Sequence, residues 1–229
     1  MNPAHITKAM QTARVGNFTQ SVCKPCGPRH AGISSWGLDK HLKLDHSHHT
    51  LVLRLSKWAE WFYIRAINNY RLGGCWLVVS GPVGTGKSTV SRRLAKALSV
   101  MAVDASLGGW GGTVPAIWRG AWASISSHDK NAEFEDAMTD LKTAHIVFLD
   151  DIGAETDRFK TGETTSRLCR VLDMCQEKWL FITTNLEQPL IAAKYDHRVL
   201  DRMNMAHWCD LAGMPSYRSK IPKHESQPT

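Results

Sequence analysis

Residues 75–88 read CWLVVSGPVGTGKS, a short apolar run followed at once by a glycine-rich loop. The run has turn residues on both sides, as expected of a strand buried inside a parallel sheet. The loop matches G-x-x-x-x-G-K-[ST] in full, and the residues that follow it, STVSRRLAKALS at 88–99, have a helical pattern. A strand, a phosphate-binding loop and a helix in this order predict a nucleotide-binding α/β fold.

Strands and helices continue to alternate on both sides of this loop. In residues 51–70 one apolar stripe recurs at spacings of three and four, which predicts an amphipathic helix before the first strand; its members are Leu51, Leu55, Trp58, Phe62 and Ala66. Further strands are expected at 100–105, 145–150, 179–184 and 207–212, and further helices at 112–125, 131–144 and 163–178. This order predicts a mainly parallel sheet with helices on both faces and with its chemistry at the carboxyl ends of the strands.

The composition limits the class of protein. The 229 residues suffice for one full α/β domain and a smaller segment. No stretch resembles a membrane span or a secretory leader, so we expect a cytoplasmic protein with no membrane partner. The scattered cysteines are expected to be reduced core residues; these are Cys75, Cys169, Cys175 and Cys209. The formal net charge of +7 fits a surface that meets nucleic acid or an acidic protein, and equally a merely basic enzyme.

The glycine-rich loop is expected to bind the phosphates of ATP. Its glycines let backbone N–H groups curl around the phosphates, and the helix that follows adds its positive end. Lys87 should reach the β- and γ-phosphates, and Ser88 should bind Mg²⁺. The residues assigned to the nucleotide here are Gly81, Pro82, Val83, Gly84, Thr85, Gly86, Lys87, Ser88 and Thr89.

Two later strands end in polar residues suited to hydrolysis. The run HIVFLDDIG ends in two acids, of which Asp150 is expected to hold Mg²⁺ and Asp151 to orient or deprotonate the attacking water. Glu155 is a second candidate base, with a solvated loop carboxylate as the alternative. After the strand FITT, Asn185 is the first choice to hold the water, and Thr184 is the second.

These segments resemble the AAA+ ATPases, and within them the DnaC-type helicase loaders and their IstB-like relatives. The likeness runs from about residue 51 to 221 and rests on SGPVGTGKST, VFLDDIGAE, ITTNL, HRVLDRM and SYRSKI. It implies a P-loop AAA+ three-layer fold, hydrolysis of ATP with Mg²⁺, and oligomers that form on ATP binding. A full helical lid is not expected, because only about twenty residues follow the last predicted strand, as is typical of this group.

The resemblance also assigns roles to arginines. In the family, an arginine of an R-x-x-x-R stretch reaches the nucleotide of the neighbouring subunit; here Arg202 is the first choice and Arg198 the second. Guanidinium is planar and permanently charged, which suits phosphate oxygens. The alternative is that both arginines pair with Asp196 and Asp201 on the helix surface. Arg218 resembles the family's late sensor arginine and would contact the nucleotide.

The first fifty residues differ in composition from the rest. Cys23, Cys26, His41 and His46 fall within a known zinc-site spacing, so they are candidate ligands of a structural Zn²⁺. The alternative is a histidine-rich arm without fixed structure. The resemblance divides the chain into a partner-docking segment at 1–50, an AAA+ domain at 51–221 and a polar tail at 222–229.

A tryptophan-rich segment follows the predicted second strand. Residues 108–122 contain Trp110, Trp118, Arg119 and Trp122, where the resembling clade carries a helix that faces single-stranded DNA. Aromatic rings stack on bases and cations follow the backbone. Packing of Trp118 and Trp122 in the core is the alternative, because the two residues share one face of a predicted helix.

The resemblance implies an ATP-dependent loader that binds a hexameric DnaB-type replicative helicase and places it on single-stranded DNA. An IstB-like helper that acts on DNA with a transposase shares every catalytic residue and stays open. A nucleotide-gated adaptor with little hydrolysis also stays open, because Asp151 stands where the wider group usually has glutamate.

Overall fold

The computed structural model describes residues 61–62, 65–66, 73–107, 115–155, 162–214 and 216. The chain divides into two units between Glu60 and Trp61, and all of these residues belong to the second unit. Within this described part, helical residues at 61–62 and 65–66 come first, and strands and helices then alternate from the strand that precedes the glycine-rich loop.

The described strands form one parallel sheet in the order β2-β3-β4-β1-β5. Every residue of β1 and of β4 is buried, because these strands lie inside the sheet. This position explains why both strands are unbroken apolar runs in the sequence. The strands are β1 (Trp76–Ser80), β2 (Ile117–Ala121), β3 (Ile146–Ile152), β4 (Trp179–Thr184) and β5 (His207–Asp210).

The described helices connect these strands. α2 is amphipathic, since its buried residues Phe134, Ala137, Met138 and Leu141 recur at helical spacing. The α-helices whose bounds lie within the described residues are α1 (Lys87–Leu107), α2 (Asn131–Thr143), α3 (Glu163–Met174), α4 (Gln188–Lys194) and α5 (His197–Met203), and single 3₁₀ turns lie at Trp122–Ser124 and His128–Lys130.

Both faces of the sheet are covered by apolar side chains. On one face, Phe148 and Phe181 contact Phe62, with ring centroids 6.1 and 5.5 Å apart. Their strand neighbours Leu149 and Ile182 lie on the opposite face, in the cluster that contains the buried residues of α2 and α3. The predicted α/β fold with a parallel sheet between two layers is therefore confirmed.

Two local predictions are wrong. The strand expected at 100–105 is part of α1, which continues to Leu107. The segment VMAVDA contains no glycine or proline that would stop the helix, and a short apolar run is compatible with either a strand or a buried helix.

The helix expected at 112–125 is also wrong. Residues Ile117–Ala121 form the edge strand β2, which pairs along β3 up to Asp150. The β-branched and aromatic residues of this segment suit a strand, and pairing with β3 outweighs the helical spacing of the tryptophans. Trp122 is fully buried in the core, and the ring of Trp118 lies against Gly120, where an added Cβ would come within 2.3 Å of the ring.

The described part of the helix before β1 agrees with the sequence pattern. Residues 61–62 and 65–66 are helical, and both described members of the predicted apolar stripe, Phe62 and Ala66, are fully buried. None of the described helices combines the length and the hydropathy needed to cross a bilayer.

Candidate nucleotide-binding site

Polar residues from three neighbouring strands meet at the carboxyl edge of the sheet. β4 lies between β1 and β3, so the glycine-rich loop after β1, the acids at the end of β3 and the polar end of β4 are adjacent. In open parallel sheets, ligands bind outside the carboxyl ends of the strands. The strand order therefore assembles the residues that the sequence had suggested separately.

The glycine-rich loop has the backbone that its sequence requires. Gly81, Gly84 and Gly86 have φ angles of 144°, 86° and 90°, in the region that side chains disfavour. Gly81 also packs closely, since a Cβ built on it would lie 2.7 Å from the Cβ of Leu211. Pro82 and Val83 form the exposed tip of the loop, and α1 begins at Lys87 with Ser88 half-buried and Thr89 exposed in its first turn.

Lys87 is buried at the centre of the site. Its ammonium donates hydrogen bonds to the backbone carbonyls of Gly81 and Pro82, at 2.7 and 2.9 Å. It also donates to Oδ1 of Asn185 at 2.9 Å. A buried cation must be neutralised or hydrogen-bonded, and these carbonyl and amide oxygens surround it. Lys87 thereby connects the phosphate loop to the end of β4.

Asn185 extends this connection to the acids of β3. Its Nδ2 donates to Oδ1 of Asp151 at 2.8 Å. The side chains of Lys87, Asn185 and Asp151 therefore form one hydrogen-bonded chain across the site.

A bulge in β3 directs the two acids. Leu149 pairs with Ile182 and Ile152 with Thr184, so three steps along β3 match two along β4. Asp151 has φ 62°, a left-handed conformation that residues other than glycine rarely adopt. Bulges next to active sites reorient side chains in this way.

Asp150 is buried and makes two different contacts. Its Oδ1 accepts a hydrogen bond from the hydroxyl of Thr183 at 2.5 Å. Its Oδ2 lies 3.7 Å from the guanidinium of Arg119 on β2, which is longer than a hydrogen bond. Carboxylate and hydroxyl oxygens are the ligands that Mg²⁺ prefers, so Asp150 and Ser88 fit such an ion chemically.

Thr184 and Glu155, the second choices for holding the water and for the base, make contacts that stabilise the local fold. Thr184 donates its hydroxyl hydrogen to the carbonyl of Ile152 at 2.7 Å, which ties β4 to the bulge. Glu155 is not a solvated loop carboxylate: its side chain is 7% exposed and accepts hydrogen bonds from the Tyr195 hydroxyl and the Gly153 amide. Burial raises the pKa of Tyr195, and the neighbouring Glu155 charge adds to the rise. Glu155 anchors the loop after β3.

The two candidate trans-acting arginines lie on α5, and their described hydrogen bonds are to Asp173 of α3, to Asp196 just before α5 and to a carbonyl within α5. Arg202 forms a bidentate pair with Asp173 of α3, at 2.6 and 3.0 Å, and this pair raises the pKa of Arg202. Arg198 pairs with Asp196 and is 59% exposed. The surface pairing considered as an alternative therefore occurs, but Arg202 uses Asp173 and not Asp201.

Other sequence candidates lie outside the described residues. These are Arg218, Trp110 and the proposed zinc ligands Cys23, Cys26, His41 and His46. Within the described ranges, no group of three or more histidine, cysteine or acidic side chains is arranged to hold a metal ion. Arg119, considered as a DNA contact on a helix, lies instead on β2 beside Asp150.

Sequence reasoning missed two residues near these groups. Thr183 contacts both acids of β3, and Asp173 holds Arg202. The residues TTN at 183–185 indicate a polar end of β4. Which of the two threonines faces the acids depends on how β4 pairs with β3 at the bulge. Nothing in the sequence links Asp173 to a residue 29 positions later.

A sequence model for the ATPase family associated with various cellular activities (AAA) matches residues 77–210. The chain belongs to this family. The matched region of this AAA ATPase begins in β1 and ends in β5, so it includes the phosphate loop, the bulge and Asn185.

Several solved structures are similar to this AAA ATPase at low identity. The DnaC helicase loader is 14% identical with a TM-score of 0.49, over 68% of this chain and 89% of that one. DnaI is 16% identical with a TM-score of 0.47, over 68% and 84%. AMPPCP-bound DnaA from Aquifex aeolicus is 15% identical with a TM-score of 0.47, over 67% of this chain. The match spans 45% of that DnaA chain and 45% of a DNA replication initiation factor. No curated protein matches the sequence.

Membership of the family implies a nucleotide-binding ATPase domain. The arrangement of Lys87, Asn185 and Asp151 accords with this, because it joins the cation of the glycine-rich loop to a carboxylate through one amide. Such a chain offers a cation for phosphate oxygens and an acceptor for a proton of water.

Proposed function

We propose that this AAA ATPase is a loader that binds a hexameric DnaB-type replicative helicase and helps to place it on single-stranded DNA. The observation that carries the enzymatic part is the hydrogen-bonded chain from Lys87 through Asn185 to Asp151. The helicase partner is supported by the resemblance of VFLDDIGAE, ITTNL and HRVLDRM to the DnaC-type loaders. Such a protein acts in the cytoplasm.

In the proposed reaction, the chain binds ATP at the phosphate loop. Backbone N–H groups of residues 83–89 hold the phosphates, and Lys87 exchanges its carbonyl partners for phosphate oxygens. Ser88 and Asp150 would hold Mg²⁺, which neutralises charge on the phosphates when bound. Asn185 orients the attacking water, and Asp151 accepts its proton.

A second copy of the chain would complete the site. None of the hydrogen bonds described for Arg198 or Arg202 reaches the chain's own phosphate loop, since these bonds are to α3, to α5 and to Asp196 just before α5. We propose that Arg202, or Arg198 as second choice, reaches the phosphates bound by a neighbouring subunit. Nucleotide state would then be coupled to assembly, and hydrolysis would release the helicase.

The segments outside the described residues have roles in this proposal. Residues 1–50 would dock on the helicase, with Cys23, Cys26, His41 and His46 as proposed ligands of a structural Zn²⁺. Residues 51–221 would form the ATPase domain, with Arg218 as a late contact to the nucleotide, and residues 222–229 a polar tail.

The test is co-elution of the full chain with the DnaB-type helicase from the same cell, with ATP and without it. We expect a stable complex that a variant lacking residues 1–50 does not form. Co-elution with a transposase and not with the helicase would contradict the loader and support the transposition helper.

The enzymatic part is tested by steady-state ATP turnover. Lys87→Ala should lower turnover roughly 10²–10³-fold, the usual effect of removing one preorganised charge donor. Lys96→Ala is the matched control, because Lys96 lies exposed on the same helix. Equal turnover in the Lys87 and Lys96 variants would rule out the proposed role of Lys87 in the nucleotide site. If the protein is instead a nucleotide-gated adaptor, the wild type would bind ATP but hydrolyse little of it.

A further inference from the structure

Thr183 lies opposite the bulge in β3, between the two acids. The register pairs Leu149 with Ile182 and Ile152 with Thr184, so Thr183 is the β4 residue that faces Asp150 and Asp151. Its side chain is fully buried. A buried hydroxyl needs hydrogen-bond partners, and the two acids supply them.

The hydroxyl of Thr183 serves both acids at once. It accepts a hydrogen bond from the backbone N–H of Asp151 at 2.8 Å and donates one to Oδ1 of Asp150 at 2.5 Å. The directions are fixed by chemistry, because an amide N–H only donates and an ionised carboxylate only accepts. One side chain therefore sets both the backbone of one acid and the carboxylate of the other.

The neighbouring polar residues of β4 are occupied by other partners. Thr184 donates to the Ile152 carbonyl and accepts from the Leu186 amide. Asn185 contacts the carboxylate of Asp151. Neither residue contacts Asp150, so Thr183 is the residue of this TTN segment that holds the Asp150 carboxylate.

The hydrogen bond between Thr183 and the Asp151 amide matters because Asp151 has an unfavourable backbone conformation. Left-handed backbone at a residue other than glycine persists only when surrounding contacts hold it. The hydrogen bond from the Asp151 amide to Thr183 is such a contact. Loss of this bond would free the bulge and move both carboxylates.

We propose that Thr183 is a positioning residue of the nucleotide site. It acts through Asp150, the proposed Mg²⁺ ligand, and Asp151, the proposed base. By binding both, Thr183 fixes the position of one carboxylate relative to the other. The inference rests on the proposed ATPase function and adds a residue to its site.

The experiment compares Thr183→Val with the wild-type full chain. Valine keeps the volume and removes the hydroxyl, so we expect turnover to fall about 10- to 100-fold, the effect of losing an outer partner of a metal site. The affinity for ATP without Mg²⁺ should change less than about threefold, because the phosphate loop is untouched, whereas the KM for ATP with Mg²⁺ should rise about as much as the Mg²⁺-dependent affinity falls. A second readout is the binding of a fluorescent ATP analogue, whose gain in affinity on adding Mg²⁺ should shrink about tenfold.

Three further variants separate positioning from folding. Thr183→Ser keeps the hydroxyl and should restore turnover to near the wild-type rate. Thr183→Cys keeps the size with only a weak donor, so it should lose activity as valine does. Thr165→Val is the matched control, because Thr165 is buried and its hydroxyl donates to the carbonyl of Tyr195, away from the acids.

The inference is overturned if Thr183→Val and Thr183→Cys match Thr165→Val in turnover and in the effect of Mg²⁺ on nucleotide affinity. It is also overturned if Thr183→Ser loses as much as valine. The proposed function fails separately, if the wild type turns over no ATP. In that case the effect of Mg²⁺ on nucleotide affinity still tests Thr183.

Discussion

Arg167 of α3 is the most deeply buried cation outside the nucleotide site in the described part of the chain, and replacing it with leucine should destabilise the fold strongly. Its side chain is 4% exposed, and its guanidinium donates to the carbonyls of Ile125 and Ser127 at 3.0 and 2.6 Å. It also donates to Asn131 and, at 2.5 Å, to Glu163. Arg167 therefore holds the segment between β2 and α2 against α3.

The magnitude follows from the groups that the substitution leaves behind. Leucine cannot donate, so the backbone carbonyls of Ile125, Ser127 and Lys130 lose a partner, as do the amide oxygen of Asn131 and the partly buried carboxylate of Glu163. Breaking a buried charged pair costs about 3–5 kcal/mol, because the remaining polar groups stay desolvated. For a protein of this size, a loss of about 3–5 kcal/mol lowers the melting temperature by roughly 6–20 °C.

Urea unfolding followed by circular dichroism measures the effect on the free energy of unfolding. Arg170→Leu is the matched control: Arg170 lies on the same helix and pairs with Glu135, but its side chain is 50% exposed. The control should lose far less stability, since exposed pairs contribute little. Equal losses in the two variants would refute the reasoning from burial.

Two further predictions concern buried groups. Burial raises the pKa of Cys175 from 9.0 to about 12, and a raised pKa gives stability that is present below pH 9 and lost as pH rises toward 12. Between pH 8 and pH 10 the wild type should therefore lose about 1.4 kcal/mol more unfolding free energy than Cys175→Ala, and equal losses would contradict this. Tyr195→Phe removes the hydroxyl that donates to the buried Glu155, so it should cost about 1–3 kcal/mol in urea unfolding. A change below about 0.5 kcal/mol would show that Glu155 finds another partner.

The central strands could be predicted because burial leaves a direct record in the sequence. WLVVS and WLFITT are continuous apolar or weakly polar runs, and a strand covered on both faces needs no alternation. The edge strand β2 left no such record. Trp118 and Trp122 are spaced like residues on one face of a helix. The segment forms a strand because it pairs with β3, and this pairing is not visible in the sequence.

The site divides in the same way. Lys87, Asp150, Asp151 and Asn185 could be proposed together from the sequence, because each lies at or just beyond the carboxyl end of a predicted strand, and these strands end at the same edge of the sheet. Their contacts could not be predicted, because they depend on the bulge in β3, a feature of register between segments 32 residues apart. The pairing of Arg202 with Asp173 depends likewise on how α5 packs against α3.

A mixing experiment tests most directly whether two subunits form the site. Lys87→Ala and Arg202→Ala are each expected to turn over little ATP alone. In an equal mixture, an active site needs a subunit with Lys87 beside a neighbour with Arg202, so head-to-tail assembly at random should restore about a quarter of the wild-type turnover. Arg170→Ala mixed with Lys87→Ala controls for dilution, because Arg170 lies outside the proposed site. Recovery near one quarter supports a shared site, and no recovery above the two separate variants would contradict it.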